Sequence, residues 1–181
     1  GKVARTITLI YKPENISLSE KVFIYDGKIK KPKVTVEDSK GKKLDENTDY
    51  TVKYSSGRKE IGKYKVTVTF KGKYSGKKTL WFSIVPPAVD VYGYRRLTSE
   101  TDVVFLMLSV PPEHADICIV EYSTTENFID ATTETITVEA KNLEEIIIEE
   151  LQPEQEYYVR IRSCTDVEGE KYYSEYSTWT V

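Results

Sequence analysis

Hydrophobic positions in this chain alternate with polar ones far more often than they recur at helical spacing. In the first half, period-two and β-branched runs appear at 6–11 (TITLIY), 21–25 (KVFIY), 33–37 (KVTVE), 50–54 (YTVKY), 63–70 (KYKVTVTF) and 79–85 (TLWFSIV). Turn-forming groups separate them: Tyr25-Asp26-Gly27, Ser39-Lys40-Gly41, Asn47-Thr48-Asp49, Ser55-Ser56-Gly57 and Lys71-Gly72-Lys73. In KYKVTVTF, Tyr64, Val66, Val68 and Phe70 share one face, and Lys63, Lys65, Thr67 and Thr69 share the other. Such a strand packs on one side and meets water on the other. The second half carries seven more runs, at 89–94, 101–110, 116–122, 133–140, 143–151, 157–164 and 172–181. Within LEEIIIEEL the glutamates at i, i+4 and i+5 allow a helix, but three consecutive isoleucines favour a strand. Short strands punctuated by Gly, Asn and Asp predict an all-β fold of two tandem β-sandwiches.

Charge changes the picture by dividing the chain. Residues 1–85 carry 20 Lys and Arg against 9 Asp and Glu, a net of +11, whereas residues 86–181 carry 6 against 20, a net of −14. So large an asymmetry argues for two separate modules. Pro86-Pro87 marks the join, since consecutive prolines donate nothing to a sheet and favour a stiff, extended backbone. The expected domains are therefore 1–85 and 86–181. The opening Gly1-Lys2, with no basic and apolar leader behind it, reads as the cut start of a fragment of a longer protein.

Composition removes whole classes of chemistry. With one His and two Cys, no metal centre built from those residues is expected, and little material remains for a nucleophile and base pair. The longest apolar stretch, VVFLMLSV at 103–110, falls far short of the ~20 residues a membrane helix needs, so no membrane insertion is expected.

Three segments of the first half, YDGKIKKPKVTVED, LDENTDYTVKY and IGKYKVTVTFKGKYSG, resemble the bacterial immunoglobulin-like repeats of Gram-positive surface proteins. The matching positions are Tyr25, Gly27, Lys28, Pro32, Val34, Val36, Leu44, Asp49, Tyr50, Gly72, Tyr74 and Gly76. The resemblance covers about 16–85 and implies a structural or adhesive spacer. In the second half, LQPEQEYYVRIRS resembles the fibronectin type III domain, with Leu151, Pro153 and Tyr157 at the corner that leads into Val159, Arg160, Ile161 and Arg162. A tyrosine there is a buried ring whose hydroxyl finds a backbone partner. The tryptophan that the family's second strand contributes to the core is missing, so a leucine, Met107 or Val110 must fill its space. The Arg-Gly-Asp tripeptide used by some members for receptor binding is absent.

Other groups are weighed as sites. His114, in a loop, has no second ligand near it in sequence. The pairs Glu144/Glu145 and Glu149/Glu150 read as a solvated strand face, because catalytic carboxylates and calcium ligands need a cleft or a tight loop. Cys118 and Cys164 fall on neighbouring strands with opposite parity, Cys118 inward and Cys164 outward, which predicts two free thiols. Tyr172, Tyr176 and Trp179 are candidates for stacking on sugar rings. Lys30, Lys31 and Lys33 form the densest basic patch and a candidate surface for an anionic partner. Asn15-Ile16-Ser17 matches a glycosylation acceptor. The lysines lack interleaved aromatic residues, so nucleic acid is not expected.

No catalytic residue, metal or cofactor is assigned. The expected role is a non-catalytic spacer or adhesion module of a large secreted or cell-surface bacterial protein. The alternative is an accessory region that attaches a secreted carbohydrate-active enzyme to its substrate. Cell-wall polymers, host or dietary glycans and matrix proteins are the expected partners, in an extracellular or bacterial cell-surface setting. The opposite charges predict a monomer at physiological salt and weak association when screening is reduced.

Overall fold

A computed structural model describes residues 13–98, 101–108, 112, 114–141 and 143–181 of the chain. The run at 6–11, Val110, and Pro111 and Glu113 beside His114 lie outside the described residues. The chain divides into two compact units that part between Ile84 and Val85. Among the described residues, apart from one 3-10 turn at Asp130–Thr132, the regular elements are strands, arranged as two tandem β-sandwiches.

The first unit contains β1 (Asn15–Leu18), β2 (Val22–Ile24), β3 (Val34–Glu37), β4 (Tyr50–Tyr54), β5 (Gly62–Phe70) and β6 (Lys77–Val85). An antiparallel β1-β3 pair faces a four-stranded sheet of order β2-β6-β5-β4. Leu18, Val34 and Val36 from the pair meet Val66, Val68, Phe70, Phe82 and Ile84 from the sheet in one core. β1 comes from the segment read as a glycosylation acceptor: Asn15 lies opposite Glu37, and Leu18 turns into the core opposite Val34. Its four residues are too few for alternation to stand out in sequence.

The motif positions of this unit turn out to be packing and turn positions. Leu44, Tyr50 and Tyr74 are buried. The Tyr50 hydroxyl donates to the Val34 carbonyl at 3.4 Å, and Tyr54 donates to the Pro32 carbonyl at 2.6 Å. In the turn after β3, Asp38 accepts from the N–H groups of Lys40 and Lys42, while Gly41 takes φ 76°, a left-handed conformation that favours glycine.

The second unit contains β7 (Val91–Leu97), β8 (Asp102–Leu108), β9 (Ile117–Ser123), β10 (Thr133–Glu139), β11 (Glu145–Leu151), β12 (Tyr158–Val167), β13 (Glu170–Tyr173) and β14 (Ser177–Thr180). One sheet runs β11-β8-β7, and the other runs β10-β9-β12-β13 with β14 also on β12. Val104, Leu106, Ile146 and Ile148 of the first sheet pack with Cys118, Val120, Val159 and Ile161 of the second. LEEIIIEEL is strand, as its isoleucines predict. Leu106 and Leu108 point inward on β8 and are buried, whereas Met107 points outward, with its Cε 3.4 Å from where a Cβ on Gly93 would stand, so Met107 is not the residue that replaces the missing tryptophan. The final run is two strands, because Ser174 takes over pairing with Ser163: its N–H donates to the Ser163 carbonyl and its Oγ accepts from the Ser163 N–H, both at 3.0 Å. The Pro87 carbonyl accepts from Ser163 Oγ at 2.6 Å, tying the diproline into this unit.

Ile161→Ala, at a fully buried position, should lower stability by about 2–5 kcal/mol, whereas Ile147→Ala, 42% exposed on the outer face of the other sheet, should lower it by less than about 1 kcal/mol. Urea unfolding of the whole chain measures both, and equal losses would contradict this division of faces.

Candidate functional site

Leu151, Pro153 and Tyr157 lie at the corner between the two sheets of the second unit. Leu151 ends β11 and is buried, Pro153 is exposed, and the Tyr157 ring is buried against Tyr122 at a centroid distance of 6.2 Å. The Tyr157 hydroxyl accepts from the Gln152 N–H at 3.1 Å. Tyr157 and Val181 also exchange backbone hydrogen bonds, which close the chain's end onto the corner.

The Gln152 carbonyl leads to a group that sequence reasoning passed over. It accepts from Arg96 Nη2 at 3.2 Å, and Arg96 Nε donates to Asp102 Oδ2 at 2.7 Å. Asp102 is fully buried, and its Oδ1 has no hydrogen-bond partner. The signal was available: Asp102 shares parity with Val104, Leu106 and Leu108, so a strand that buries them must bury the carboxylate.

The outer face of β12 holds a second polar assembly. Arg160 Nε donates to Glu121 Oε2 at 2.6 Å. The Arg160 guanidinium lies 4.2 Å from the Phe128 ring centroid and 4.4 Å from that of Tyr176; Arg162 lies 4.7 Å from Tyr176 and 4.2 Å from Tyr173. The order is thus Phe128, Arg160, Tyr176, Arg162, Tyr173, with cations and rings alternating. Burial raises the Glu121 pKa, but hydrogen bonds from Arg160 and Tyr176 and the two arginine charges outweigh it, leaving the carboxyl below its ordinary value.

This geometry corrects the aromatic platform expected from Tyr172, Tyr176 and Trp179. Tyr172 is only 7% exposed, Trp179 packs against the core, and Tyr176 is held between two guanidinium groups. No shared stacking surface forms, because strand alternation sends Trp179 inward opposite Val159 while Tyr176 sits at the bend.

Lys30, Lys31 and Lys33 do not make one surface either. Lys30 pairs with Asp26 at 2.7 Å and lies over the Phe23 ring of β2, whereas Lys31 lies over the Tyr54 ring of β4. β2 and β4 are opposite edges of the four-stranded sheet, so the two charges diverge. Lys33 is held through its backbone: its N–H donates to Ser19 Oγ at 2.9 Å.

His114 is exposed at φ 64°, and its carbonyl accepts from Thr165 Oγ1 at 2.6 Å. Cys118 faces Ser163, and Cys164 faces Ile117 on the other side of the sheet, so the thiols cannot meet. Both are free and buried, although Cys164 was expected to be exposed; Ile117 and Tyr173 flank it across the strands. Burial pushes the Cys118 thiol up to about 11 and raises that of Cys164.

A register break between Ile148 and Leu151 leaves Glu149 and Glu150 exposed in succession, with Glu150 at φ 59°. Both line a cleft of about 500 Å³ with Glu134, Tyr122, Gln152 and Tyr157. Its Tyr157 hydroxyl is already engaged with the corner. Among the described residues, no group of three or more His, Cys, Asp or Glu side chains is arranged to hold a metal ion.

No protein-family model matches the sequence, and no curated protein matches it. A two-domain fibronectin type III segment of chicken tenascin is similar in structure, with 15% identity over 93% of this chain and 98% of that one and a TM-score of 0.51. The chicken CNTN1 FN1-FN3 domains give 12% identity over 98% of this chain and 69% of theirs, with a TM-score of 0.41. A titin segment gives 17% over 93% and 65%, with a TM-score of 0.35. The tenascin likeness is one of fold.

Tyr157→Phe keeps the ring but strands the Gln152 N–H, so thermal or urea unfolding should show a loss of about 1–3 kcal/mol; no loss would mean that water replaces the hydroxyl. Because the Glu121 pKa is lowered in the folded chain, its stabilisation is present above the unfolded carboxylate value of about 4.5 and declines as pH falls through the folded one. Glu121→Gln should therefore flatten the fall in stability below about pH 4.5, measured by urea midpoints across pH; an unchanged slope would remove Glu121 from the acid response.

Proposed function

We propose that this chain is a non-catalytic spacer and adhesion module of a larger secreted or cell-surface bacterial protein. The observation that carries the reading is the use made of the polar groups inside and against the second sandwich. Asp102 is engaged by Arg96, Glu121 by Arg160 and the Tyr157 hydroxyl by the Gln152 backbone. Each of these groups binds one strand or corner to another, so the chemistry of the fold goes into holding its shape. Two sandwiches in series suit a part that sets distance and presents surfaces. Extracellular glycans, wall polymers and matrix proteins are the partners such surfaces would meet.

The resemblance of the first unit to surface-protein repeats supports the bacterial setting. The parent gene separates this reading from attachment of a carbohydrate-active enzyme: neighbouring repeats or a wall anchor support the spacer, and a neighbouring glycosidase domain supports the enzyme accessory. Purified chain incubated with polysaccharide, peptide and ester substrates should release no product above a heat-denatured control. Turnover that copurifies with the chain and disappears on its unfolding would overturn the non-catalytic assignment.

A further inference from the structure

The most unusual open surface belongs to the first unit, on the sheet face turned away from its core. Phe23 and Phe82 meet edge to face in the interior at 5.5 Å, so their neighbours Val22, Ile24 and Trp81 must point outward. Trp81 is 49% exposed on β6, and Val22 at 51% and Ile24 at 58% are exposed on the neighbouring edge strand β2. Directly across from Trp81 stands Lys65, and Lys63 Nζ lies 5.9 Å from the indole centroid. The face continues through Thr67 to Lys53 on β4, and through Thr69 to Lys77 on β6. The outward positions of β2, β4, β5 and β6 are occupied by Lys, Thr, Ser, Val, Ile and Trp, with no Asp or Glu among them.

An exposed indole bordered by lysines and hydroxyls on a sheet combines three kinds of contact. The ring offers an apolar plane for the C–H face of a sugar, the ammonium groups attract anions, and the threonines supply hydrogen bonds. Lys63 and Lys65 are about 7 Å apart along β5, and Lys53 lies two strands across and two residues along from Trp81, about 12 Å away, so the charges extend across the face. One aromatic ring suits a sugar chain better than a nucleic acid, whose single strands are held by stacking successive bases on several rings.

We propose that this face, centred on Trp81 and bordered by Lys53, Lys63, Lys65 and Lys77, binds a linear anionic polysaccharide carrying carboxylate or sulfate groups. The inference rests on the reading of the chain as an adhesion module and supplies the chemistry of what it adheres to. It takes the place of Lys30, Lys31 and Lys33 as the candidate surface for an anionic partner.

The test measures binding of the full chain to immobilised polygalacturonate, dextran sulfate, neutral dextran and a thymidine homopolymer, across a salt series. Binding to polygalacturonate, to dextran sulfate or to both, with none to neutral dextran, is expected, and the two arms distinguish carboxylate from sulfate. The triple variant Lys53→Gln, Lys63→Gln, Lys65→Gln should weaken it about tenfold or more and make its salt dependence shallower. The triple Lys40→Gln, Lys42→Gln, Lys43→Gln removes the same charge from a turn and should change affinity less than about threefold. Trp81→Ala should weaken binding about tenfold while leaving the salt dependence unchanged.

Circular dichroism and melting of each variant establish that it is folded. No binding to either polyanion at low salt would overturn the proposal, as would equal losses from the two triples. Equal or tighter binding of the thymidine homopolymer would assign the face to nucleic acid instead. Salt-sensitive dimerisation abolished by the first triple, without polyanion binding, would assign it to the acidic unit of a second copy. Each of these results leaves the spacer assignment standing, because that is overturned by turnover or by a neighbouring glycosidase domain and not by loss of this binding.

Discussion

The second sandwich depends on the backbone of a single residue, Gln152. Its N–H is bound by Tyr157 and its carbonyl by Arg96, and Arg96 is also the counter-charge of Asp102. Asp102 is completely buried, where an unpaired carboxylate is strongly unfavourable. Arg96 must therefore stay where it is, and with it the corner. Through this chain of contacts β7 and β8 are fixed to the end of β11, and the ring of Tyr157 fixes the same point to the start of β12. Removing either partner of a buried pair costs about 3–5 kcal/mol, so the arrangement resists piecemeal change.

β12 shows how one strand serves two environments. Its inward side chains, Val159, Ile161 and Ser163, are buried in the core. The outward arginines would be ordinary solvated cations if they stood alone. Instead Tyr176 separates them, Phe128 and Tyr173 close the ends, and Glu121 balances Arg160. Tyr176, a candidate for binding in sequence, is thereby engaged with Phe128 and Tyr173 in supporting the sheet. The bend at Ser174 makes this possible, since it frees Tyr176 from strand pairing while β13 and β14 both remain on β12.

The first unit distributes its polar groups differently. Tyr50 and Tyr54 donate inward to the backbone carbonyls of Val34, at the start of β3, and Pro32 just before it, whereas lysines and threonines occupy outward positions of the larger sheet. Lysines along an exposed sheet oppose edge-to-edge pairing with other chains. The same residues create a surface of one sign around an exposed indole. Protection from aggregation and attraction of an anion draw on the same charges.

Much of this was legible from local pattern. Alternation in KYKVTVTF placed a strand and its faces correctly, and the Gly and Asp groups marked the turns, because a strand's two-residue period and a left-handed turn are properties of neighbouring residues. The opposite parity of Cys118 and Cys164 followed from the same rule. Asp102 was also legible, had its parity with three buried neighbours been given priority over its charge. What the chain could not reveal locally was which elements meet. The divergence of Lys30 and Lys31 depends on β2 and β4 being opposite edges of one sheet. The burial of Tyr172 and Cys164, the pairing of Arg96 with Asp102 across two strands and the clamping of Tyr176 depend on cross-strand register. Strand identity and facing were thus determined by the sequence through the local geometry of the backbone, while partner choice was decided only by tertiary structure, because register brings together side chains that are distant along the chain.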